Sequence, residues 1–526
     1  MTRNVHHGLQ LLGKGLRRSR LFLLGLALLP GLLWAPGWAA PTEQAAPTEQ
    51  AAPTEKAAQG VTAPRTAPGP EQAAGAPGSV FGVEMKTIDA KGGLDLIKPP
   101  HTQTAWTRGV QIIWSAIEPA EGVYNWAAPE FIAAKKQIEN SVLNDMTPII
   151  VVRSTPAWAQ KYPGYACGPV REDKLAALGN FIHLLLSSYP FAAYDLNYWE
   201  LWNEPDIARE LVAPDFDWGS CWGEQDDPYY GGEYYGRMLQ VVYPQIKLAK
   251  PQAQVLVGGL LLDCNPNKFG PQDQPQAGCV PGKFLEGILR SDQNRGGNYF
   301  DGVSFHSYDY YGGETGVYTN GSWATAWNTT GPTAPSKAEF IRGLLAQYGV
   351  SGKFLVNSEN SLLLCNPKTD SCTENPTAEL TKAYYVAESY AAAIANGLLA
   401  NIWFDVTGTW GRNNGLVRKD LSPLPAYKAY QFASQMLSGA GFVRKLPAVG
   451  GLRGYEFRQP EHHVWLLWSA DGQEHSYPLP AAPARVYDVF GEQLEASALL
   501  TTGRAPVYIE MPASIPRLFL PINVKR

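Results

Sequence analysis

From residue 79 onward, short apolar runs alternate with stretches of helical periodicity. The runs at 80–86 (VFGVEMK), 109–114 (GVQIIW), 147–153 (TPIIVVR) and 196–203 (LNYWELWN) predict strands, as do 254–260 (QVLVGGL), 301–306 (DGVSFH), 353–358 (KFLVNS) and 400–405 (ANIWFD). Most are bounded by Gly, Pro or Asn. Between them the pattern predicts helices near 128–141, 172–188, 232–249, 281–290, 336–348, 378–397 and 424–437. Eight such units over about 350 residues describe an α/β chain folded as a (β/α)8 TIM barrel with enlarged loops. An open doubly wound sheet is the alternative, and no Gly-rich phosphate turn follows any strand to support it.

Beyond about residue 440 the period shortens. Runs at 454–458, 463–468, 484–490, 507–510 and 517–520, with Asp471-Gly472 as a hairpin turn, predict a small C-terminal β-sandwich packed on the barrel. A buttress is its expected role, a sugar-binding module the alternative. The domain boundaries expected are 79–437 for the barrel and 438–526 for the sandwich.

The N-terminus has a different texture. Residues 1–20 carry Arg3, Lys14, Arg17, Arg18 and Arg20 without an acid, followed by a leucine-rich run from Leu21 to Trp34 and the small-residue site Gly37-Trp38-Ala39. This is the pattern of a secretory signal peptide over 1–39, with an uncleaved membrane anchor as the rival. Pro30 and Pro36 interrupt the run, which favours the signal and leaves no membrane span in the mature chain. Then come APTEQA, APTEQA and APTEKA, continuing as Pro/Ala-rich sequence to residue 78. So few bulky apolar residues bury no core, so 40–78 is expected to be a disordered linker.

Composition sharpens this picture in two places. An apolar content of 45% excludes wholesale disorder, and 43 Lys+Arg against 48 Asp+Glu excludes a basic nucleic-acid-binding chain. Removing residues 1–39 takes five basic residues and no acid, leaving a mature chain with 38 basic and 48 acidic residues. The six cysteines sit in loop-like sequence downstream of the export signal, where disulfides are expected. Fifteen connectivities are possible for six cysteines, the shortest being 167–221, 264–279 and 365–372. No Cys-x-x-Cys pair or His at ligand spacing marks a metal site, and no cofactor is expected.

In barrels of this type the chemistry sits at the C-terminal ends of the strands. Those positions hold Glu84, Trp114, Arg153, Asn203-Glu204, Asp263, His306, Glu359 and Trp403, a mixture of carboxylates, polar groups and tryptophans suited to sugar chemistry. The fourth strand ends in Trp202-Asn203-Glu204-Pro205, and the seventh in Asn357-Ser358-Glu359-Asn360. Trp114-Ser115-Ala116-Ile117-Glu118-Pro119-Ala120-Glu121-Gly122-Val123-Tyr124-Asn125-Trp126 follows the second strand.

These three motifs resemble the large clan of retaining (β/α)8 glycoside hydrolases, most closely family 39, with families 5 and 30 remaining open. The resemblance implies Glu204 as acid/base, Glu359 as nucleophile and Asn203 as partner of the sugar 2-hydroxyl. It further suggests Trp403 as the platform under the cleaved sugar, with Trp410 as competitor. Glu118 is expected to be structural, Glu84 and Glu200 core ion-pair partners, and Glu314 a loop acid. Arg153 is a candidate to hold Glu359 ionised, with an ion pair inside the barrel as the alternative; His306, Tyr308, Tyr310 and Tyr311 are candidates to orient Glu359 or to meet a sugar hydroxyl, and Trp114 to line the cleft. Trp218, Trp222, Tyr229, Tyr230, Tyr318, Trp323 and Trp327 are expected along the cleft walls. The implied function is a secreted retaining glycosidase acting by double displacement on a poly- or oligosaccharide. The alternative class is a non-catalytic carbohydrate-binding scaffold.

Overall fold

The computed structural model describes residues 78–513, apart from 189, 215, 217, 218, 264–280 and 321–330. The expected signal peptide, nearly all of the spacer, the strand at 517–520, Cys264, Cys279, Trp218, Trp323 and Trp327 lie outside these residues. Eight strands form the barrel: β1 (Phe81–Glu84), β2 (Trp106–Ile113), β3 (Thr147–Arg153), β4 (Tyr198–Asn203), β5 (Gln254–Leu260), β6 (Gly302–Tyr311), β7 (Phe354–Leu363) and β8 (Ala400–Trp403). Each pairs in parallel with the next, and β8 closes on β1. Seven longer helices surround them: α1 (Pro129–Leu143), α2 (Leu175–Leu186), α3 (Gly232–Ala249), α4 (Phe284–Asn294), α5 (Ala334–Gln347), α6 (Pro376–Ala395) and α7 (Pro425–Leu437). Between β1 and β2 the helical layer shrinks to the single turn Leu94–Ile97.

The pleat sorts side chains between two cores. Trp106, Ile149, Tyr198, Leu256, Phe354, Val356 and Ile402 fill the barrel's lower interior, with the Trp106 ring edge-on to Tyr198 at 4.8 Å. Their neighbours Ile150, Trp199, Val255, Leu355 and Trp403 point outward into the helix layer. Two residues above the plug, alternation turns Arg108 and Glu200 into the interior, over apolar walls.

Strand irregularities then reset the alternation. Register shifts fall between Arg108 and Val110, Val257 and Leu260, Phe305 and His306, and Asn357 and Asn360. Such bulges bend a strand and re-aim its side chains. On β7 the extra residue is Ser358, so Glu359 takes the inward place that plain alternation would give to Ser358. On β2 the bulge centres on Gly109 at φ +131°, where an added Cβ would lie 2.4 Å from the Met85 carbonyl oxygen. Only glycine fits that backbone.

After α7 the chain builds β9 (Gly441–Lys445), β10 (Leu452–Arg458), β11 (His462–Ser469), β12 (His475–Pro478), β13 (Arg485–Tyr487), β14 (Gln493–Leu494), β15 (Leu499–Thr502) and β16 (Val507–Pro512). They form a six-stranded antiparallel sheet in the order β9-β10-β11-β16-β13-β14 and a two-stranded sheet of β12 and β15. Along β11, Val464, Leu466 and Trp468 join the barrel's outer core, while Trp465 and Leu467 pack toward the second sheet with Tyr477 and Leu500. One face thus buttresses the barrel and the other closes a small sandwich. Asp471-Gly472 does not join paired strands as expected: it lies where the chain leaves one sheet for the other.

Bridges Cys167–Cys221 and Cys365–Cys372 are present, both in loops after barrel strands. No described helix is long and apolar enough to cross a membrane.

Candidate active site

Glu204 follows β4 directly. Trp202 and Glu204 both have left-handed backbones, at φ +63° and +51°, a conformation that non-glycine residues adopt rarely and at energetic cost. The turn is held by the Glu204 N–H on the Gly259 carbonyl (3.0 Å), and by Asp206, which accepts from the N–H groups of Leu261 (2.9 Å) and Leu262 (2.8 Å). Burial pushes the Asp206 carboxyl up to about 7, against those two donors.

Across the barrel mouth stands Glu359. Its Oε1 accepts from Arg108 Nη1 at 2.6 Å, and its Oε2 accepts from the Tyr308 hydroxyl. His306, fully buried, bridges the two glutamates, with Nδ1 2.9 Å from Glu204 Oε1 and 3.4 Å from Glu359 Oε2. One oxygen of each carboxylate and a ring nitrogen of His306 all lie within 4.8 Å of one another. Burial, with Arg108 and Lys337 nearby, holds the imidazole well below its usual range, so the ring is neutral at pH 7. A proton on Nδ1 satisfies the contact with Glu204. The opposite nitrogen faces Gly259, where an added Cβ would lie 2.1 Å from it.

Arg108 organises the floor. Its guanidinium reaches Glu84 Oε2 (2.9 Å), Glu359 Oε1 (2.6 Å), Glu200 Oε1 (2.6 Å) and Asn203 Oδ1 (2.6 Å) while only 2% exposed. Planar, always charged and carrying five donors, it suits a site where several acids converge. Burial drives Glu84 up to about 8, against Arg108, so that acid is protonated at neutral pH.

The two central glutamates differ in environment. Burial raises both; the charge of Glu359 further raises Glu204, and that of Glu200 further raises Glu359. Glu359 has a cation and a phenol on its oxygens, which lower its pKa in opposition to burial. Glu204 has a neutral imidazole, with Glu359, Asp206 and Asp263 nearby, and is held well above the carboxylate range. Both carboxyls are thus held above the ordinary range, Glu204 the further of the two, and Glu359 is the easier of the pair to ionise. Among the described residues, Glu204, His306 and Glu359 are also the one group spaced to hold a metal ion. Both oxygens of Glu359 are already taken by hydrogen-bond donors, which suits proton transfer and nucleophilic attack better than metal ligation.

Several expected members of the site lie elsewhere. Arg153 ends β3 but donates to Gln111 Oε1 at 2.7 Å, and the guanidinium on Glu359 is that of Arg108. Trp114 opens a helical turn instead of ending a strand; its indole donates to Glu118 Oε2 and packs edge-on to Trp158. Trp403 points outward, fully buried, with its indole on the Asn414 carbonyl. Among the described residues, the exposed tryptophan is Trp410, stacked on Phe404 at 4.7 Å and edge-on to Tyr308 at 5.6 Å. Trp222, Tyr230 and Tyr318 are core residues, not cleft walls. Glu200 forms an ion pair with Arg108, whereas Glu84 accepts a hydrogen bond from Arg108 as a protonated acid; Glu118 braces its own loop, and Glu314 is exposed.

No protein-family model and no curated protein matches this sequence. Solved structures do match. A family 39 glycoside hydrolase from the gut symbiont Bacteroides cellulosilyticus WH2 aligns with a TM-score of 0.59 and 20% identity, over 83% of this chain and 81% of that one. The GH30 endoxylanase of Clostridium papyrosolvens C71 aligns at 0.54 and 11% identity, over 85% and 98%. A monomeric beta-xylosidase from Caulobacter crescentus CB15 aligns at 0.51 and 13% identity, over 84% and 98%. The fold is that of the family 39 and family 30 glycoside hydrolases. At such identities the likeness is one of fold, and the chemistry has to be argued from the side chains themselves.

Proposed function

We propose that this chain is a secreted retaining glycoside hydrolase, with Glu204 as acid/base and Glu359 as nucleophile. The observation that carries this reading is the pair of unlike carboxyls at the barrel mouth, with oxygens inside 4.8 Å. Retaining glycosidases hold their two carboxyls about 5–5.5 Å apart, whereas inverting ones leave room for a water between them. Glu204, kept protonated by burial and by nearby acids, donates to the glycosidic oxygen as the bond breaks. Glu359, kept ionised by Arg108 and Tyr308, attacks the anomeric carbon. In the second half, Glu204 as carboxylate takes a proton from water, which displaces Glu359 and returns the enzyme to its starting state. Asn203, fixed by Arg108, stands beside Glu204 where a sugar 2-hydroxyl would lie. Trp410 offers the flat apolar face that suits a pyranose ring. Secretion rests on the N-terminal sequence, and the two disulfides support an oxidising compartment.

The test is release of reducing sugar from a glycan panel. The panel starts with xylan and xylo-oligosaccharides, since two structural neighbours bear the names of a xylanase and a xylosidase. Wild type should release sugar and Glu359→Ala should not. Proton NMR of the first product should show the retained anomer; an inverted one rules out double displacement. Binding without any release across the panel would favour the scaffold class.

A further inference from the structure

Strands β6 and β7 run on past the barrel mouth. Their pairing continues from His306↔Glu359 through Tyr308↔Ser361 to Tyr310↔Leu363, about 13 Å at roughly 3.3 Å per residue. At the far end lies a cavity of about 480 Å³. It is walled by Tyr310 and Leu363, by the loop that Cys365–Cys372 closes, and by Arg412 and Asn413 from the segment after β8. Alternation puts Tyr310 and Leu363 on the same side of the strand pair as Tyr308 and Glu359. Trp410, 42% exposed and edge-on to Tyr308, precedes Arg412 by two residues. An aromatic surface therefore leads from the nucleophile to the cavity.

The polar groups of the wall are unevenly used. Asn413 donates to the Cys372 carbonyl at 2.8 Å, tying the disulfide loop in place. Asp370 accepts from the Asn366 N–H at 3.1 Å within its own loop. The Arg412 backbone is pinned, its carbonyl accepting from the Leu364 N–H at 3.0 Å. Its half-buried guanidinium, by contrast, makes no hydrogen bond or ion pair among the described residues. A planar fork of five donors stands unused beside an exposed tyrosine, Tyr310 at 46%.

We infer that this cavity is a distal subsite that holds a sugar of the substrate chain beyond those flanking the scissile bond. The sugar stacks on Tyr310 and presents an oxygen pair to Arg412, either adjacent hydroxyls or a carboxylate. The inference rests on the glycosidase reading and deepens it: the substrate is a long chain, not a disaccharide.

The experiment is a length ladder, from disaccharide to octasaccharide, of the glycan that wild type cleaves best or, failing cleavage, binds best on an array. Wild-type kcat/KM should climb with length and then level off. In Arg412→Ala and Tyr310→Ala the ratio of kcat/KM between long and short chains should fall about tenfold, through KM, the scale of one hydrogen bond to a charged group. A larger Arg412→Ala loss on a uronate-bearing ladder than on a neutral one identifies the carboxylate; equal losses identify hydroxyls. Variants that keep the wild-type length dependence, or a wild type without one, overturn the subsite. Calorimetric titration of the longest oligosaccharide into Glu359→Ala, with and without Arg412→Ala, separates the two readings. If wild type cleaves nothing and Arg412→Ala still weakens binding, the hydrolase reading falls and the subsite stands. If binding is equal in both, the subsite falls.

Discussion

Glu84 offers a test of the buried charge cluster that needs no substrate. Its carboxyl is pushed to about 8 in the folded protein, against an ordinary value of 4.5. Between those two values the folded chain holds a proton that the unfolded chain has released. The stabilisation is therefore complete below pH 4.5 and is lost as pH rises through 8. The shift spans 3.5 pH units, from 4.5 to 8, and at about 1.36 kcal/mol per unit the whole loss is about 5 kcal/mol, with about 3 kcal/mol already gone at pH 7. Glu84→Gln has the shape of the protonated acid and keeps an oxygen for Arg108, yet has no proton to lose. Urea unfolding followed by tryptophan fluorescence at pH 4, 5, 6, 7 and 8 reads the difference. The variant should match wild type at pH 4 and exceed it by about 3 kcal/mol at pH 7, on the same linkage arithmetic. Parallel curves across that range would mean that Glu84 is ionised in the fold and that the charge accounting of the site is wrong.

Three further outcomes follow from the geometry. Arg108→Met removes the donor 2.6 Å from Glu359 Oε1, so the proposed nucleophile becomes harder to ionise; a charged hydrogen bond of about 1.5–3 kcal/mol moves the acid limb of kcat/KM up by about one to two pH units. An acid limb left in place would remove Arg108 from that role, and Arg108→Lys guards against a variant that fails to fold. Gly259→Ala places a methyl 2.1 Å from His306 Nε2, and a crowded core of this kind typically costs about 1–3 kcal/mol; kcat should drop sharply while circular dichroism stays unchanged, and wild-type kcat would show that the imidazole is free to shift. Cys167→Ser/Cys221→Ser opens a bridge spanning 54 residues, which should lower stability by about 2–4 kcal/mol; an unchanged thermal midpoint, with and without reductant, would show that the loops hold each other without it.

The barrel was legible because each strand is a short apolar run with its own boundary residues, and because the helical intervals between them repeat. Glu204 was legible for a different reason: its neighbours Trp202, Asn203 and Pro205 form a recognisable turn at a countable strand. What escaped the sequence was the facing of side chains. Gly109 looks like the start of the second strand, whereas β2 begins at Trp106 and Gly109 is the bulge inside it. Arg108 therefore falls outside the expected strand, and Arg153 is the strand-end arginine that the pattern offers instead. A glycine within an apolar run is itself the signal for such a bulge. The outward facing of Trp403 follows from alternation alone: Ile402 packs inside the barrel, so its neighbour must face the helices. The extension of β7 to Leu363 was hidden because Asn360 and Ser361 look like a loop, whereas both are buried in the strand.

The bulges also explain why chemistry concentrates at this height of the barrel. A regular strand sends every second residue inward, so one cross-section receives side chains from alternate strands only. Arg108 and His306 face inward by plain alternation, and the extra residue Ser358 just before Glu359 turns that glutamate into the same layer, so one layer gathers groups that a regular barrel would distribute over two. Four glutamates then share the interior with the Arg108 guanidinium that contacts three of them. One positive charge cannot balance four negative ones in a low dielectric, so some of the acids must keep their protons. Direct contact decides which. Arg108 and Tyr308 hold Glu359, leaving Glu204 with a neutral imidazole and the larger share of the burial penalty. The proposed division into acid and nucleophile is in this sense a property of the floor beneath the glutamates, and exchanging the proposed roles would require moving Arg108 to the other side of the barrel.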